Sequence, residues 1–425
     1  MIHVQELLKK HQDVSAWRVS ETATRSYELF FVHRKLETVR ATDTASIHAT
    51  VYVDHDGFRG DSSFALSPAM TEKDAEEKIE AAVRRAKMVN NPFYELPEKG
   101  EMQSELPTNM QDADAKTLGK QIADAVFAAD DQEGGSINAC EIFLYRDTKR
   151  VQNSRCVDKS QVTHRVMIEA IPTFTDEKQS VELYEDYRFT EFDPAKITEE
   201  IARKMAEVKD RCSAVKPPVP MSVKVLLRPH EISELLENLC WSLNYSAVYS
   251  HANPFKIGDQ IQQNAQGDPL TLTMRAVIPG SEDSAFFDAD GMALTDTCLI
   301  EKGEVKNYFG SNRFGQYLQI ERPSGDLQCG SLAPGSMSMA DMKKQPHLEC
   351  ASLSGLQVDL YSDYIGGEIR LAYWFDGEKT VPVTGITMSG KLSDALNGML
   401  LSKETTVQGP YEGPAGMLLP EISVL

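Results

Sequence analysis

The stretch Val223–Tyr245, VKVLLRPHEISELLENLCWSLNY, decides the fold class of the second half of the chain, because it leads from a strand into a helix. Val223–Leu227 is a short, largely apolar run, which is typical of a buried strand. Pro229 then opens a helix, since the N–H that proline lacks has no intrahelical partner at the first helical position. Five apolar residues recur at helical spacing and predict a face that docks on a core: Ile232, Leu235, Leu236, Leu239 and Leu243.

His230 and Glu231, at the start of this helix, begin a pattern found in zinc proteases. In that pattern two histidines four residues apart bind the metal, and the intervening glutamate is the general base. Position i+4 is Glu234, so the second histidine is absent. We interpret His230 and Glu231 as polar residues of the first turn, where a carboxylate also favours the helix dipole. The alternative is a relocated metal site that a distant His251 or His347 completes.

The length and charge of the chain limit the function classes. A chain of 425 residues is long enough for roughly two to three domains, each with a full core. Its 44 Lys and Arg against 64 Asp and Glu leave a formal net charge of −20. Because an acidic surface repels phosphate backbones, we expect no direct binding of nucleic acid.

The cysteines and the N-terminus predict a cytoplasmic protein. The seven cysteines are odd in number, scattered and without a CxxC pair, which favours reduced thiols over a disulfide framework. The first residues, MIHVQELLKKHQDV, predict an amphipathic helix over Ile2–Lys10 with charges throughout. No run approaches the roughly 18 apolar residues that a membrane span needs, so no membrane association is expected.

The first half of the chain predicts two similar units, about 1–98 and 108–215, each with the order helix, several strands, helix. Thr71 and Asp74 predict a capping box at the start of one helix, and Asp193-Pro194 predict the start of another at Pro194–Cys212. A further helix is predicted over Gln111–Ala129. The expected strands are Ala16–Ser20, Tyr27–Val32, Ile47–Val53, Phe58–Leu66, Ile137–Tyr145, Thr163–Ile171 and Glu182–Phe189.

Lys216-Pro217-Pro218-Val219-Pro220 predicts the main domain boundary, because three prolines in four positions favour an extended, semi-rigid connector. The expected fold class is therefore α+β with two domains. Residues 1–215 form an N-terminal domain of helices and sheet, and residues 222–425 form a β-rich C-terminal domain with a few helices. In the latter we expect strands at Leu270–Ile278 and Ala293–Ile300 and an exposed loop at Gln328–Gln345.

Three motif fragments in the C-terminal half do not complete the sites that they suggest. Asp288-Ala289-Asp290-Gly291 lacks the flanking ligands of a calcium loop and predicts a hairpin turn. His347, Glu349 and Cys350 alternate along a predicted strand, so they cannot all converge on a metal. Gly385–Leu392, GITMSGKL, carries leucine where a phosphate-binding loop needs a hydroxyl, and its first residues continue a strand.

Several motifs, taken in order, resemble the TldD/PmbA family, whose members were once called modulators of DNA gyrase. They are DGFRG (Asp56–Gly60), NPFYELP, FKIGDQI (Phe255–Ile261), DADG followed by CLIEKGEVKNYFGSNRFG (Cys298–Gly315), VPVTGITMSGKL (Val381–Leu392) and GPYEGPAGMLLPEI. The resemblance implies a two-domain α+β fold and a cytoplasmic metalloprotease assembled from two related kinds of subunit. The catalytic, TldD-like kind carries HExxxH and a later zinc-binding cysteine, whereas the PmbA-like kind lacks the motif.

In the family register, LLENLCWS (Leu235–Ser242) stands where the catalytic kind has LLHEAVGH. Glu237, Asn238 and Ser242 then occupy the positions of the first histidine, the glutamate and the second histidine. The cysteine position falls near Pro410–Tyr411, and no cysteine follows Cys350. A zinc hydrolase needs about three protein ligands and a general base, so this set is degenerate.

The resemblance therefore implies a PmbA/TldE-type, non-catalytic subunit of a metallopeptidase complex that acts on peptides. We expect no cofactor in this chain, zinc in a catalytic partner, and pairing with a TldD-like HExxxH paralogue, with itself as a homodimer, or with both. Two alternatives remain at this stage. One is an autonomous metallopeptidase with the relocated site at His230 and Glu231, and the other is an interaction protein that modulates DNA gyrase.

Overall fold

The computed structural model of the protein describes residues 4–67, 69–130 and 133–425. These residues form nine helices and 22 strands, and the predicted α+β class is confirmed. Among them, no helix is both long and apolar enough to cross a bilayer. The first helix is present from Val4, and the predicted start at Ile2 lies outside the described residues.

The helices are α1 (Val4–Lys10), α2 (Glu72–Ala86), α3 (Ala115–Ala128), α4 (Pro194–Ser213), α5 (Pro229–Ser242), α6 (Tyr245–Tyr249), α7 (Asn312–Tyr317), α8 (Met339–Met342) and α9 (Leu392–Gly398). The strands of the first half are β1 (Ala16–Val32), β2 (Lys35–His55), β3 (Phe58–Leu66), β4 (Gly100–Glu105), β5 (Gly135–Asn153), β6 (Val157–Thr175), β7 (Ser180–Glu182) and β8 (Glu185–Phe189). Those of the second half are β9 (Met221–Leu227), β10 (Leu272–Arg275), β11 (Thr297–Glu301), β12 (Glu304–Val305), β13 (Cys329–Leu332), β14 (His347–Leu353), β15 (Gln357–Asp359), β16 (Tyr364–Phe375), β17 (Thr380–Val383), β18 (Ile386–Lys391), β19 (Leu400–Leu401), β20 (Thr405–Gln408), β21 (Tyr411–Pro414) and β22 (Met417–Val424).

The first eight strands form one sheet, the N-terminal sheet, in the order β3-β2-β1-β5-β6-β4, with β7 and β8 also paired to β6. Because β1 pairs with β5 along most of its length, the two units predicted from the sequence share a continuous sheet. The strands predicted at Ala16–Ser20 and Tyr27–Val32 are one strand. Its polar middle has little apolar patterning, but it is hydrogen-bonded on both sides, to β2 and to β5.

Helices cover the two ends of one face of this sheet. At one end α1 and α2 enclose a core with Trp17 and Val19 of β1, and at the other α3 and α4 enclose a core with Leu29 of the same strand. These three residues are separated by even numbers of positions, so they point to the same face.

The local signals for α2 and α4 are confirmed. Thr71 accepts a hydrogen bond from the Asp74 N–H, and the Asp74 side chain accepts one from the Thr71 N–H, which completes the capping box. Asp193 caps α4 through the N–H groups of Ala195 and Lys196, with Pro194 at the first helical position. Each pair of bonds satisfies backbone donors that the first turn of a helix leaves free.

The second half contains two sheets. We name the larger sheet the C-terminal ring. Its strands are hydrogen-bonded in the order β14-β9-β22-β18-β16, and β16 also pairs with β14, so the sheet closes on itself. The smaller sheet has the order β12-β11-β10-β13-β21-β20. One extensive apolar core joins both sheets to α5 and α9.

Three expectations for this half differ from the structure. The strand expected at Leu270–Ile278 is limited to Leu272–Arg275, and the strand expected from Ala293 begins at Thr297. The expected loop Gln328–Gln345 contains β13 and the short helix α8. These segments are short and pair with strands distant in sequence, so local apolar patterning carries little signal for them.

Candidate functional site

Helix α5 is held rigidly between the C-terminal ring and the smaller sheet. The preceding strand, β9, is one of the strands of the ring. It pairs in parallel with β14 on one side and antiparallel with β22 on the other. The predicted apolar face is confirmed, because Ile232, Leu235, Leu236, Leu239 and Leu243 are all buried. The helix is therefore fixed in rotation, and the direction of every side chain on it is set by the core.

The three side chains at the degenerate motif positions of α5 do not converge. Glu237 is exposed, whereas Ser242 is completely buried and donates a hydrogen bond to the Leu239 carbonyl oxygen at 2.7 Å. Asn238 donates its side-chain N–H to the Glu234 carbonyl oxygen at 2.9 Å. Two of the three polar side chains, Asn238 and Ser242, are thus hydrogen-bonded to backbone carbonyl groups of their own helix.

Tyr411 is one of the two residues near which the family register places a cysteine ligand. Its ring is buried and belongs to the same core as Leu235, Leu239 and Cys240 of α5. Its hydroxyl donates a hydrogen bond to the Pro414 carbonyl oxygen at 2.9 Å. A phenol committed in this way offers no thiolate to a metal on α5.

The zinc ion that the family implies does not fit this donor set. A zinc hydrolase needs about three nitrogen, sulfur or carboxylate ligands with tetrahedral geometry, and a base to activate water. Here the family positions offer one exposed carboxylate, Glu237, with an amide and a buried hydroxyl that are already hydrogen-bonded. No catalytic step can be derived through zinc at these residues.

The candidates for a relocated metal site are also separated. His230 is exposed and lies 3.8 Å from the Glu234 carboxylate, while its neighbour Glu231 is buried. His251 is exposed, and His347 is buried with its Nδ1 atom 2.8 Å from the Gln345 carbonyl oxygen. Over residues 4–67, 69–130 and 133–425, no three His, Cys, Asp or Glu side chains come together in a way that could hold a metal ion.

Glu231 is the most unusual carboxyl group of α5. One of its oxygens, Oε2, is buried and lacks a hydrogen-bond partner among the described residues. Burial raises the pKa of Glu231, since an uncompensated charge is costly in an apolar interior. Burial, together with the nearby Glu231 carboxylate, also raises the pKa of the Cys350 thiol well above its ordinary value. These groups therefore favour their neutral forms, which argues against a thiolate ligand at Cys350.

An ion-pair network at the N-terminal end of α5 joins the two halves of the chain. It was not predicted from the sequence. Arg228 contacts Glu207 of α4 at 2.5 Å and Glu349 of β14 at 3.0 Å. Lys204 pairs with the other oxygen of Glu207 at 3.0 Å, and Lys343 pairs with Glu349 at 2.7 Å. We name these five residues the Arg228 network.

Burial alone would raise the pKa of Glu207 and of Glu349, but their cationic partners outweigh it. Lys204 and Arg228 hold the pKa of Glu207 below its ordinary value, and Arg228 and Lys343 do the same for Glu349. Arg228 immediately precedes the proline that opens α5, and Glu207 stands among the apolar residues of α4. A charged residue within an otherwise buried helical stripe is the one sequence signal that could have indicated the network.

The near-miss motifs have the structures predicted for them. Asp288–Gly291 forms a turn in which the Asp288 carboxylate accepts the N–H groups of Asp290 and Met292. Asp290 itself pairs with Arg18 of the N-terminal sheet. Ile386–Lys391 is a continuous strand, so GITMSGKL forms no loop that could wrap a phosphate.

Comparison with known proteins agrees with this architecture. Residues 220–425 match the family model described as the PmbA/TldA metallopeptidase C-terminal domain. No protein of curated function matches the chain in sequence. Three solved structures share the fold over 99% of this chain and 97–98% of their own.

The first of these structures is a Thermotoga maritima protein described as a candidate modulator of a DNA gyrase, with 18% identity and a TM-score of 0.77. The second is TldE from Thermococcus kodakarensis, with 15% identity and a TM-score of 0.80. The third, from Bacteroides thetaiotaomicron, is also described as a candidate modulator of DNA gyrase, with 14% identity and a TM-score of 0.81. At these identities the likeness establishes the fold.

The closed strand ring, with α5 and the smaller sheet packed against it, is thus a C-terminal domain of the PmbA/TldA metallopeptidase class. The resemblance to the TldD/PmbA family that the sequence predicts is therefore confirmed for residues 220–425, which match the C-terminal domain of that family.

Proposed function

We propose that this chain is the non-catalytic, PmbA/TldE-type subunit of a TldD/PmbA-type metallopeptidase complex. The complex acts on peptides in the cytoplasm. The zinc ion and the general base belong to a TldD-like paralogue that carries HExxxH, and this chain pairs with that paralogue or rests as a homodimer.

The donor set on α5 is the observation that supports this proposal. In the family register Glu237, Asn238 and Ser242 replace the two imidazoles and the base, and the cysteine position falls near Pro410–Tyr411, where no cysteine is present. Ser242 is fully buried and Asn238 is hydrogen-bonded within its own helix, so neither side chain could turn toward a metal without breaking a bond. The fold of the family is retained while the chemistry of its zinc site is lost.

The experiment is a peptidase assay on four preparations: this chain alone, its HExxxH paralogue alone, the two after co-expression, and the co-expressed pair with the motif glutamate of the paralogue replaced by glutamine. We expect the two proteins to co-purify and only the intact pair to hydrolyse an unfolded peptide. The glutamine variant should co-purify equally well but be inactive, because water activation needs the base.

Two results would contradict the proposal. In the first, the paralogue alone hydrolyses the peptide at the rate of the pair, which leaves this chain no part in the activity. In the second, this chain alone hydrolyses the peptide, and the activity is lost after chelation of metal.

A further inference from the structure

A cavity of about 430 Å³ lies on the N-terminal sheet, just beyond the first turn of α3. Residues of β1, β5 and β6 form its floor, and the segment between β4 and α3 forms part of its wall. It is remote from α5 in the sequence and shares no residue with the degenerate zinc site. Its volume is in the lower part of the range that small-molecule sites occupy.

A row of basic side chains crosses the floor of this cavity. The strand register places Arg25 directly opposite Arg146, and Arg146 directly opposite His164. Directly paired residues of antiparallel strands point to the same face. The row ends in a carboxylate on each side, with Asp43 at 3.1 Å from Arg25 and Glu105 at 2.8 Å from His164.

Arg146, at the centre of the row, lacks such a partner. Within the described residues its one polar contact is the Thr148 hydroxyl, at 3.4 Å. Like charges directly opposite each other on neighbouring strands destabilise a sheet, and Asp43 offsets the charge of Arg25 only, so an anion bound beside Arg146 would be stabilising. The chain has a net charge of −20, so a row of adjacent basic side chains is unusual on its surface, and binding of an anion would account for it.

The cavity is apolar next to this row. Tyr27, Leu144 and Val166 form the next row across the same strands, two residues from the basic row and on the same face. Leu118 of α3 packs over them. A guanidinium beside an apolar surface suits a carboxylate ligand that carries a short apolar group. The planar guanidinium can bind both carboxylate oxygens, and the apolar group can pack against the adjacent surface. Glu105 and Asp112 also line the cavity, and they would repel a phosphate dianion more strongly than a monoanion.

We propose that this cavity is a binding site for a monocarboxylate that carries an apolar group, with Arg146 as its principal contact. The ligand is either a small organic acid or the C-terminal residue of a peptide. The site stands independently of the proposed role as a partner subunit, because it depends on no residue of α5.

The test is a calorimetric titration of the full chain with four probes: hexanoate, N-acetyl-leucine, the peptide Ala-Ala-Leu, and N-acetyl-leucinamide, which lacks the charge. We expect the best carboxylate to bind at least about tenfold more tightly than the amide, as loss of a charged hydrogen bond implies. Tighter binding of Ala-Ala-Leu than of hexanoate would identify a peptide C-terminus as the natural ligand. The reverse order would identify a small organic acid.

Arg146→Gln should weaken binding of the best carboxylate by at least about tenfold, and Arg25→Gln should weaken it as well. Lys149→Gln is the matched control, since it removes one positive charge from the same strand on the opposite face and should leave binding unchanged. Because Arg146 is exposed, its replacement should not lower the unfolding midpoint. Equal binding of acid and amide, no binding of any carboxylate, or unchanged binding by Arg146→Gln would overturn the proposal.

Discussion

Replacing Arg228 by methionine is expected to lower the free energy of unfolding by about 3–5 kcal/mol. The guanidinium is largely buried and contacts Glu207 and Glu349, whose side chains are only 3% and 12% exposed. Without Arg228, Glu349 keeps Lys343, and Glu207 keeps Lys204 and the more distant Arg203, at 3.9 Å, in a poorly solvated interior. A buried charge that loses part of its compensation costs far more than the loss of an exposed ion pair.

Denaturant unfolding of the wild type and of Arg228→Met at neutral pH measures this effect. Arg150→Met is the control, because Arg150 is half-exposed, pairs with Asp158 at 2.7 Å and contacts no member of the Arg228 network. That variant should lose at most about 1 kcal/mol. Equal losses in the two variants would contradict the role assigned to the Arg228 network.

The network also predicts a dependence of stability on pH. The folded state lowers the pKa of Glu207 and of Glu349, so their contribution is present above the ordinary glutamate value of 4.5. It is lost as the pH falls through the lowered values. Arg228→Met should therefore lose less stability on acidification below pH 4.5 than the wild type does.

Gly60→Ala is expected to destabilise the protein by about 3 kcal/mol or more. Gly60 lies in β3, inside the motif DGFRG, where the strand passes under the C-terminal end of α2. A Cβ atom on Gly60 would overlap the carbonyl oxygen of Ala86 and lie 2.7 Å from that of Val89. Both obstacles are backbone atoms, so the helix end would have to move away from the sheet.

Gly330→Ala is the matched control for this substitution. Gly330 also lies in a strand, β13, but a Cβ atom there would meet its first neighbours, side-chain atoms of Leu272 and Met274, at 3.9–4.0 Å. We expect a change within about 0.5 kcal/mol of the wild type. Thermal and denaturant unfolding of both variants compare the two positions, and a Gly60→Ala protein as stable as Gly330→Ala would contradict the predicted overlap.

Local signals predicted the elements that depend on neighbouring residues. The helical spacing of Leu235, Leu236 and Leu239 predicted the buried face of α5, and the pairs Thr71/Asp74 and Asp193/Pro194 predicted two helix starts. These features arise from contacts within a few positions of the chain. The order of motifs also predicted the family, which the C-terminal domain confirms.

Contacts between distant residues could not be predicted in this way. The pairing of β1 with β5, which makes the N-terminal sheet continuous, joins residues more than 100 positions apart. The same pairing brings Arg25 and Arg146 together. Likewise, Arg228 meets Glu207 and Glu349 only because α4 packs beside the C-terminal ring. The sequence indicated what α5 lacks, but not what surrounds it.

The zinc content of this chain, purified alone from zinc-supplemented cells and measured by mass spectrometry, tests the central claim most directly. Because an exposed carboxylate, an amide and a buried hydroxyl stand in place of the ligands, we predict far less than one zinc ion per chain, and the same value for Glu237→Ala. One tightly held zinc ion per chain that Glu237→Ala abolishes, with peptide hydrolysis by the chain alone, would contradict it.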